Sequence, residues 1–127
     1  MSITAFDHVN IRTTNLKNMI DWYRDILGLH RGKRPEFPFP GAWMYIGDRA
    51  VVHLVDWTDT LKAGGEITLE HFAFRAVDMP AFLQKLDDHS IKHSIDPVPG
   101  VPLVQVNLFD PDGNHIHVDF ESTEHLS

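Results

Sequence analysis

Phe6-Asp7-His8-Val9-Asn10-Ile11-Arg12 and Leu69-Glu70-His71-Phe72-Ala73-Phe74-Arg75 are two versions of one pattern. In each, an acidic residue and a histidine lead into alternating apolar positions, and the two histidines stand 63 residues apart (71 − 8). The repetition continues towards the far end of each copy, where His53 and His117 are separated by 64 residues (117 − 53). The chain therefore reads as two modules, about residues 4–56 and 67–121, within a single domain covering residues 1–127. Packing alone does not ask for a histidine at both of these points in each copy. Neutral imidazole is the commonest protein ligand for transition metals. The matched placement thus points to His8, His53, His71 and His117 as ligands of one divalent ion.

Each copy opens on a strand, residues 4–12 and 67–76, where Ile, Val, Thr and Phe interleave with polar residues. A helix follows each strand. Asn15 is a candidate cap for Leu16 to Leu27, whose Leu16, Met19, Ile20, Tyr23 and Ile26 recur at helical spacing, and Gly28 suits the terminator. In the second copy Asp78 caps a helix with Pro80 in its first turn and Phe82, Leu83 and Leu86 on its apolar face. Three short strands are expected after each helix. They fall near Leu29–Lys33, Ala42–Ile46 and Ala50–Val55, and near Ile91–Ile95, Val101–Phe109 and His115–Phe120. Asp110-Pro111-Asp112-Gly113 forms a turn by its chemistry. Trp57 to Glu66, with Gly64-Gly65, reads as a linker, and the proline-rich Pro35–Gly41 as a loop carrying Phe37 and Phe39 at the rim of a site. The fold class is α+β: two βαβββ modules forming a curved mixed sheet, a half-open barrel around a metal cavity.

Side chains alternate faces along a strand. His8 shares a face with Asn10 and Arg12, while Val9 and Ile11 point towards the helix. In the last strand Ile116, Val118 and Phe120 form the apolar face, which leaves His115, His117, Asp119 and Glu121 opposite. All four candidate ligands thus fall on the side away from their module's helix. His115 stands two residues, about 6.6 Å, from His117 and lies outside the expected ligand set. Arg12, Gln105 and Asn107 are candidate substrate contacts, with Trp43 and Tyr45 lining the wall. Glu121, acting through water, or His117, on leaving the metal, is the candidate for proton transfer.

The 127 residues carry a formal charge of −7 with scattered basic residues, which argues against a nucleic-acid surface. The absence of cysteine excludes thiolate chemistry and suits a reducing cytoplasm. Neither a signal peptide nor an apolar run approaching the ~20 residues of a membrane span is visible, so a cytoplasmic protein with no membrane partner is expected.

Taken in order, Asp7-His8-Val9, the helix end Trp22-Tyr23-x₃-Leu27-Gly28-Leu29, Glu70-His71-Phe72-Ala73-Phe74 and Asp110-Pro-Asp-Gly-Asn114 resemble the vicinal oxygen chelate superfamily over about residues 4–121. That superfamily includes glyoxalase I, extradiol dioxygenases, fosfomycin-resistance transferases and bleomycin-resistance proteins. The resemblance implies one divalent metal (Zn, Ni, Co or Fe) on the first and fourth strands of each module, at positions matching His8, His53, His71 and His117. It also implies a small-molecule substrate with adjacent oxygens, an oxyanion or enediolate stabilised at the metal, and a homodimer. Isomerase members have a carboxylate at the position of His117, and glyoxalase I often another at His53. This chain has histidine at both, which points away from glyoxalase I itself and from the His-His-Glu iron triad of extradiol dioxygenases. A metal-dependent lyase, isomerase or dioxygenase is the expected activity. The alternative is a metal-free drug- or metabolite-binding protein of the bleomycin-resistance kind.

Overall fold

The computed structural model describes residue 1, residues 5–57 and residues 69–125. The expected linker beyond Trp57 and the strand positions 4, 67 and 68 lie outside the described residues. The chain divides into two compact units, Met1–Ala63 and Gly64–Ser127. Unit 1 runs β1 (Val9–Thr13), α1 (Leu16–Asp25), β2 (His30–Gly32), β3 (Gly41–Ile46) and β4 (Arg49–Asp56). Unit 2 runs β5 (Phe72–Arg75), α2 (Met79–Asp88), β6 (Ser94–Pro97), β7 (Leu103–Phe109), β8 (His115–Glu121) and a short α3 (Ser122–His125). The fold class is the expected α+β arrangement of two βαβββ modules, with α3 added.

The sheet orders are β1-β4-β3-β2 and β5-β8-β7-β6. In each, the first strand lies parallel to the last and the remaining pairs are antiparallel. Parallel neighbours need a crossover, and the helix with the two middle strands supplies it. In unit 1, Met19, Trp22, Tyr23 and Ile26 of the α1 region bury themselves with Ala42, Met44, Val52 and Leu54. The α1 exit closes at Gly28, φ 75°, with the Leu29 N–H donating to the Tyr23 carbonyl at 3.0 Å. In unit 2, Met79 and Leu86 are buried with Val104, Val106, Leu108, Ile116, Val118 and Phe120, and the Phe82 ring meets Phe120 at 5.7 Å.

Several boundaries differ from the sequence expectation, each for a local reason. Asn15 does not cap α1 with its side chain; its carbonyl accepts from Met19 N–H, and its own N–H goes to Thr13 Oγ1. Asp78 does cap α2, accepting from Ala81 N–H at 3.3 Å. The strand expected at Ile91–Ile95 begins instead at Ser94. Ser90 takes a left-handed φ of 54° and Ile91 N–H returns to the Leu86 carbonyl, so residues 91–93 are used in leaving the helix. Likewise β7 begins at Leu103 rather than Val101, because a turn with Val101 N–H on the Val98 carbonyl occupies the approach. β1 and β5 begin at Val9 and Phe72, so His8 and His71 immediately precede their strands instead of lying within them. Among the described residues, no helix is long and apolar enough to cross a membrane.

The β7–β8 turn follows its chemistry. The buried Asp110 carboxylate accepts from Asp112 N–H, Asn114 N–H and Asn114 Nδ2 at 3.0, 2.9 and 2.8 Å, while Gly113 takes φ 85°. This turn sets where β8 starts, and hence where His115 and His117 stand. Replacing a buried acceptor that serves several donors leaves those donors unpaired, so Asp110→Ala should lower the unfolding free energy by about 2–3 kcal/mol in urea titration. A loss under about 0.5 kcal/mol would show that the turn holds without the carboxylate.

Candidate metal centre

Unit 1 positions two histidines by strand pairing. β1 and β4 pair with Val9 opposite Val52, so His8, just ahead of β1, reaches the neighbour of Val52, His53. Their rings stack with centroids 3.8 Å apart and 9° between planes. The other face of His53 stacks on Trp43, its cross-strand partner, at 4.0 Å and 11°. Sandwiched in this way His53 is buried, while Val52 and Leu54 on either side of it face the helix.

Unit 2 repeats the geometry. Phe72 lies opposite Ile116, so the residue after the first histidine again pairs with the residue before the second. The His71 and His117 rings approach to 4.5 Å, and His117 is buried like His53. The 63- and 64-residue offsets of the sequence thus become one register in space.

Each of these four rings has one nitrogen tied to an acceptor. His8 Nδ1 meets Asp7 Oδ2 at 2.6 Å, His117 Nδ1 meets Asp119 Oδ1 at 2.6 Å, and His71 Nδ1 contacts Glu70 Oε2. His53 differs: its Nε2 meets the Ala50 carbonyl at 3.1 Å. A neutral imidazole that donates from one nitrogen presents a lone pair at the other, and an acceptor on the far nitrogen is the usual support of a ligating histidine. Within each unit the histidine pair therefore offers donors of the kind a divalent transition metal takes. Lone pairs fall on Nε2 of His8, His71 and His117 and on Nδ1 of His53.

The ionisation states agree with this. Burial, and secondarily the neighbouring His8, push the His53 imidazole below its ordinary range, which keeps it neutral near pH 7. The hydrogen bond from His8 holds the Asp7 carboxyl down, and the one from His71 does the same for Glu70.

The other expected site residues are distributed unevenly. Trp43 is part of the histidine stack. Asn107 lies opposite His117 across the ladder, and its amide joins His115 Nε2 to Asp96 at 2.9 Å on either side. Gln105 is half-buried and opposite Asp119. Arg12 is exposed, its guanidinium 4.1 Å above the Trp57 ring. Tyr45 donates to the Lys33 carbonyl and stacks on His30, which places it at the β2 edge. Glu121 is exposed at the end of β8, 4.0 Å from Arg75. Phe37 and Phe39 of the proline-rich loop stack on each other at 5.2 Å with Arg34 against both rings. Sequence reasoning gave no role to Asp7, Glu70 or Asp119, and set His115 on the face of His117 but outside the ligands. The signal for the first two was present: an acidic residue directly precedes His8 and His71 alike.

The family model of the Glyoxalase/Bleomycin resistance protein/Dioxygenase superfamily matches residues 5–118, and the chain belongs to that superfamily. It is 24% identical over 125 residues to Glyoxylase I 4 of Arabidopsis thaliana, covering 93% of this chain and 71% of that protein. Solved structures share the fold. A glyoxylase/bleomycin resistance protein/dioxygenase domain from Frankia sp. superposes with TM-score 0.75 at 16% identity, over 94% of this chain and 99% of that one. Lactoylglutathione lyase from Agrobacterium tumefaciens gives TM-score 0.72 at 20% identity, over 94% and 95% of the two chains.

The depressed His53 imidazole has a consequence of definite sign. The folded protein disfavours the imidazolium, whereas the unfolded chain protonates near the ordinary value of 6.5. The unfolded state then binds more protons, so this contribution to stability is complete above pH 6.5 and falls as the pH drops through it. Metal-free protein should melt progressively lower between pH 7.5 and pH 5.5, roughly one unit either side of the ordinary histidine value. His53→Phe, which keeps a ring on Trp43, should flatten that slope; an unchanged slope would assign it elsewhere.

Proposed function

We propose that the chain is a divalent-metal-dependent enzyme of the glyoxalase/dioxygenase type, a lyase, isomerase or dioxygenase acting on a small molecule with adjacent oxygens. In this reading the two units act as one domain, and His8, His53, His71 and His117 together hold one Zn, Ni, Co or Fe ion. The observation that carries the proposal is the identical register of the two histidine pairs, each ring supported by an acceptor on one nitrogen. Such an ion supplies Lewis-acid polarisation of substrate oxygens at full +2 charge, because imidazole ligands are neutral.

The chain's own residues divide the remaining work. Trp43 presents an aromatic wall beside His53, and Gln105 and Asn107 offer polar groups on the strand next to His117. Glu121 is assigned proton transfer, because its exposed carboxylate stands outside the histidine set and can take a proton without giving up a ligand. His117 fills that role only by leaving the ligand set. Arg12 and Tyr45 are assigned to substrate contact at the margins. The working assembly is proposed to be a homodimer in the cytoplasm.

Purified protein dialysed free of loosely held metal should retain about one divalent ion per chain by elemental analysis. His8→Ala and His71→Ala should each release most of it, and full occupancy in both variants would overturn the four-histidine set. A chain that stays metal-free after exposure to Zn, Ni, Co and Fe would instead favour the small-molecule binder. Turnover is to be sought among 2-oxoaldehydes, catechols and thiol conjugates. On the substrate so found, Glu121→Gln should lower kcat about a hundredfold with metal content unchanged. An unchanged kcat would remove Glu121 from the chemistry.

A further inference from the structure

Beyond the four-histidine set, unit 2 contains a second group of metal-type donors. Glu70, His71 and His115 each place one donor atom so that all three lie within 4.8 Å of one another. Two of the three are absent from the set proposed above, and all belong to one unit.

The hydrogen-bond chain behind His115 fixes its chemistry. Ser94 Oγ donates to Asp96 Oδ2 at 2.8 Å, and Asn107 Nδ2 donates to the same oxygen at 2.9 Å. A carboxylate only accepts, so Asn107 must turn its NH₂ to Asp96 and its carbonyl oxygen to His115. That carbonyl lies 2.9 Å from His115 Nε2, which therefore carries the proton. In the neutral ring Nδ1 then bears the lone pair, and it faces Glu70 Oε1 at 3.3 Å. In the neutral ring two acceptors confront each other, an arrangement that either a proton or a metal cation between them relieves.

The spacing suits a metal ion. Imidazole nitrogen and carboxylate oxygen bind Zn at about 2.0–2.2 Å, and two such ligands at a tetrahedral angle lie about 3.4 Å apart. The other Glu70 oxygen contacts His71 Nδ1; with the ring's proton moved to Nε2, Nδ1 offers the third donor, the tautomer opposite to the one the four-histidine set uses. We infer that Glu70, His71 and His115 form an auxiliary site for a borderline divalent ion such as Zn, Co or Ni, built entirely within unit 2. Sharing His71 makes it an alternative to the four-histidine set rather than an addition to it. With three ligands it binds more weakly, at least about tenfold. Its occupancy gives the chain a way to hold metal when unit 1 contributes none.

The test uses the full chain carrying His8→Ala, a change at an exposed residue of unit 1 that disables the four-histidine set and removes the ring stacked on His53 but leaves every residue of unit 2 in place. Zn titrated in excess by calorimetry, and Co(II) followed by its visible absorption, should show about one equivalent bound more weakly than in the unaltered protein. Adding Glu70→Gln or His115→Asn to that variant should weaken the residual binding a further tenfold or more, by analogy with the loss of other coordinating partners. Residual binding that ignores both changes would assign it to the remaining histidines and overturn the auxiliary site. Absence of any residual binding would leave Glu70 and His115 as an ion pair and overturn it equally. Circular dichroism confirms that each variant is folded, and either single change in the unaltered chain provides a second background. These outcomes are separate from the fate of the four-histidine set, which is judged by the tight binding that His8→Ala removes.

Discussion

The parallel pairing of the first strand of each unit with its last is the constraint on which everything else depends. β1 beside β4 and β5 beside β8 adopt the same register, with Val9 opposite Val52 and Phe72 opposite Ile116. Side chains alternate along a strand, so a slip of one residue exchanges every inward position for an outward one. Such a slip in unit 2 would turn His117 towards the helix and expose Ile116 and Val118, which are now buried. The apolar packing against α1 and α2 therefore holds the histidines in place. Core and site are two faces of the same strands.

The two units share this frame and differ in what surrounds it. Trp43 stands across the ladder from His53, while Asn107 occupies the corresponding place across from His117. Val55 takes the position that Asp119 holds in unit 2, being two residues beyond the last-strand histidine in each case. His53 is accordingly steadied by ring stacking and a backbone carbonyl, and His117 by a carboxylate. One unit offers an aromatic surface beside its histidine pair and the other a chain of polar groups.

Much of this was legible in the sequence, and the omissions have physical causes. The doubled acid-histidine pattern, the alternation of Ile116, Val118 and Phe120, and the Asp78 and Asp110 motifs are local signals, and they place the elements and the four histidines. The start of β6 depended on Ser90 entering the left-handed region, which a serine does not announce. The Asn15 carbonyl accepts the first bond of α1 as an N-cap's does, but its side chain makes no capping bond and its N–H goes to Thr13 Oγ1, which composition does not decide. The proximity of Glu70 to His115 spans 45 residues and exists only through the β5–β8 register. Arg12 and Tyr45 are engaged by Trp57 and the Lys33 carbonyl, partners that strand alternation does not name. Strand alternation specifies a face, not the partner waiting there.

The central proposal is that His8, His53, His71 and His117 hold one ion. X-ray absorption spectroscopy on the protein loaded with a single equivalent of Zn or Ni tests it most directly. The expected first shell contains four imidazole nitrogens at about 2.0–2.1 Å, with the outer-ring scattering that imidazole produces. A shell with two or fewer imidazoles, or one dominated by carboxylate oxygen, would contradict it.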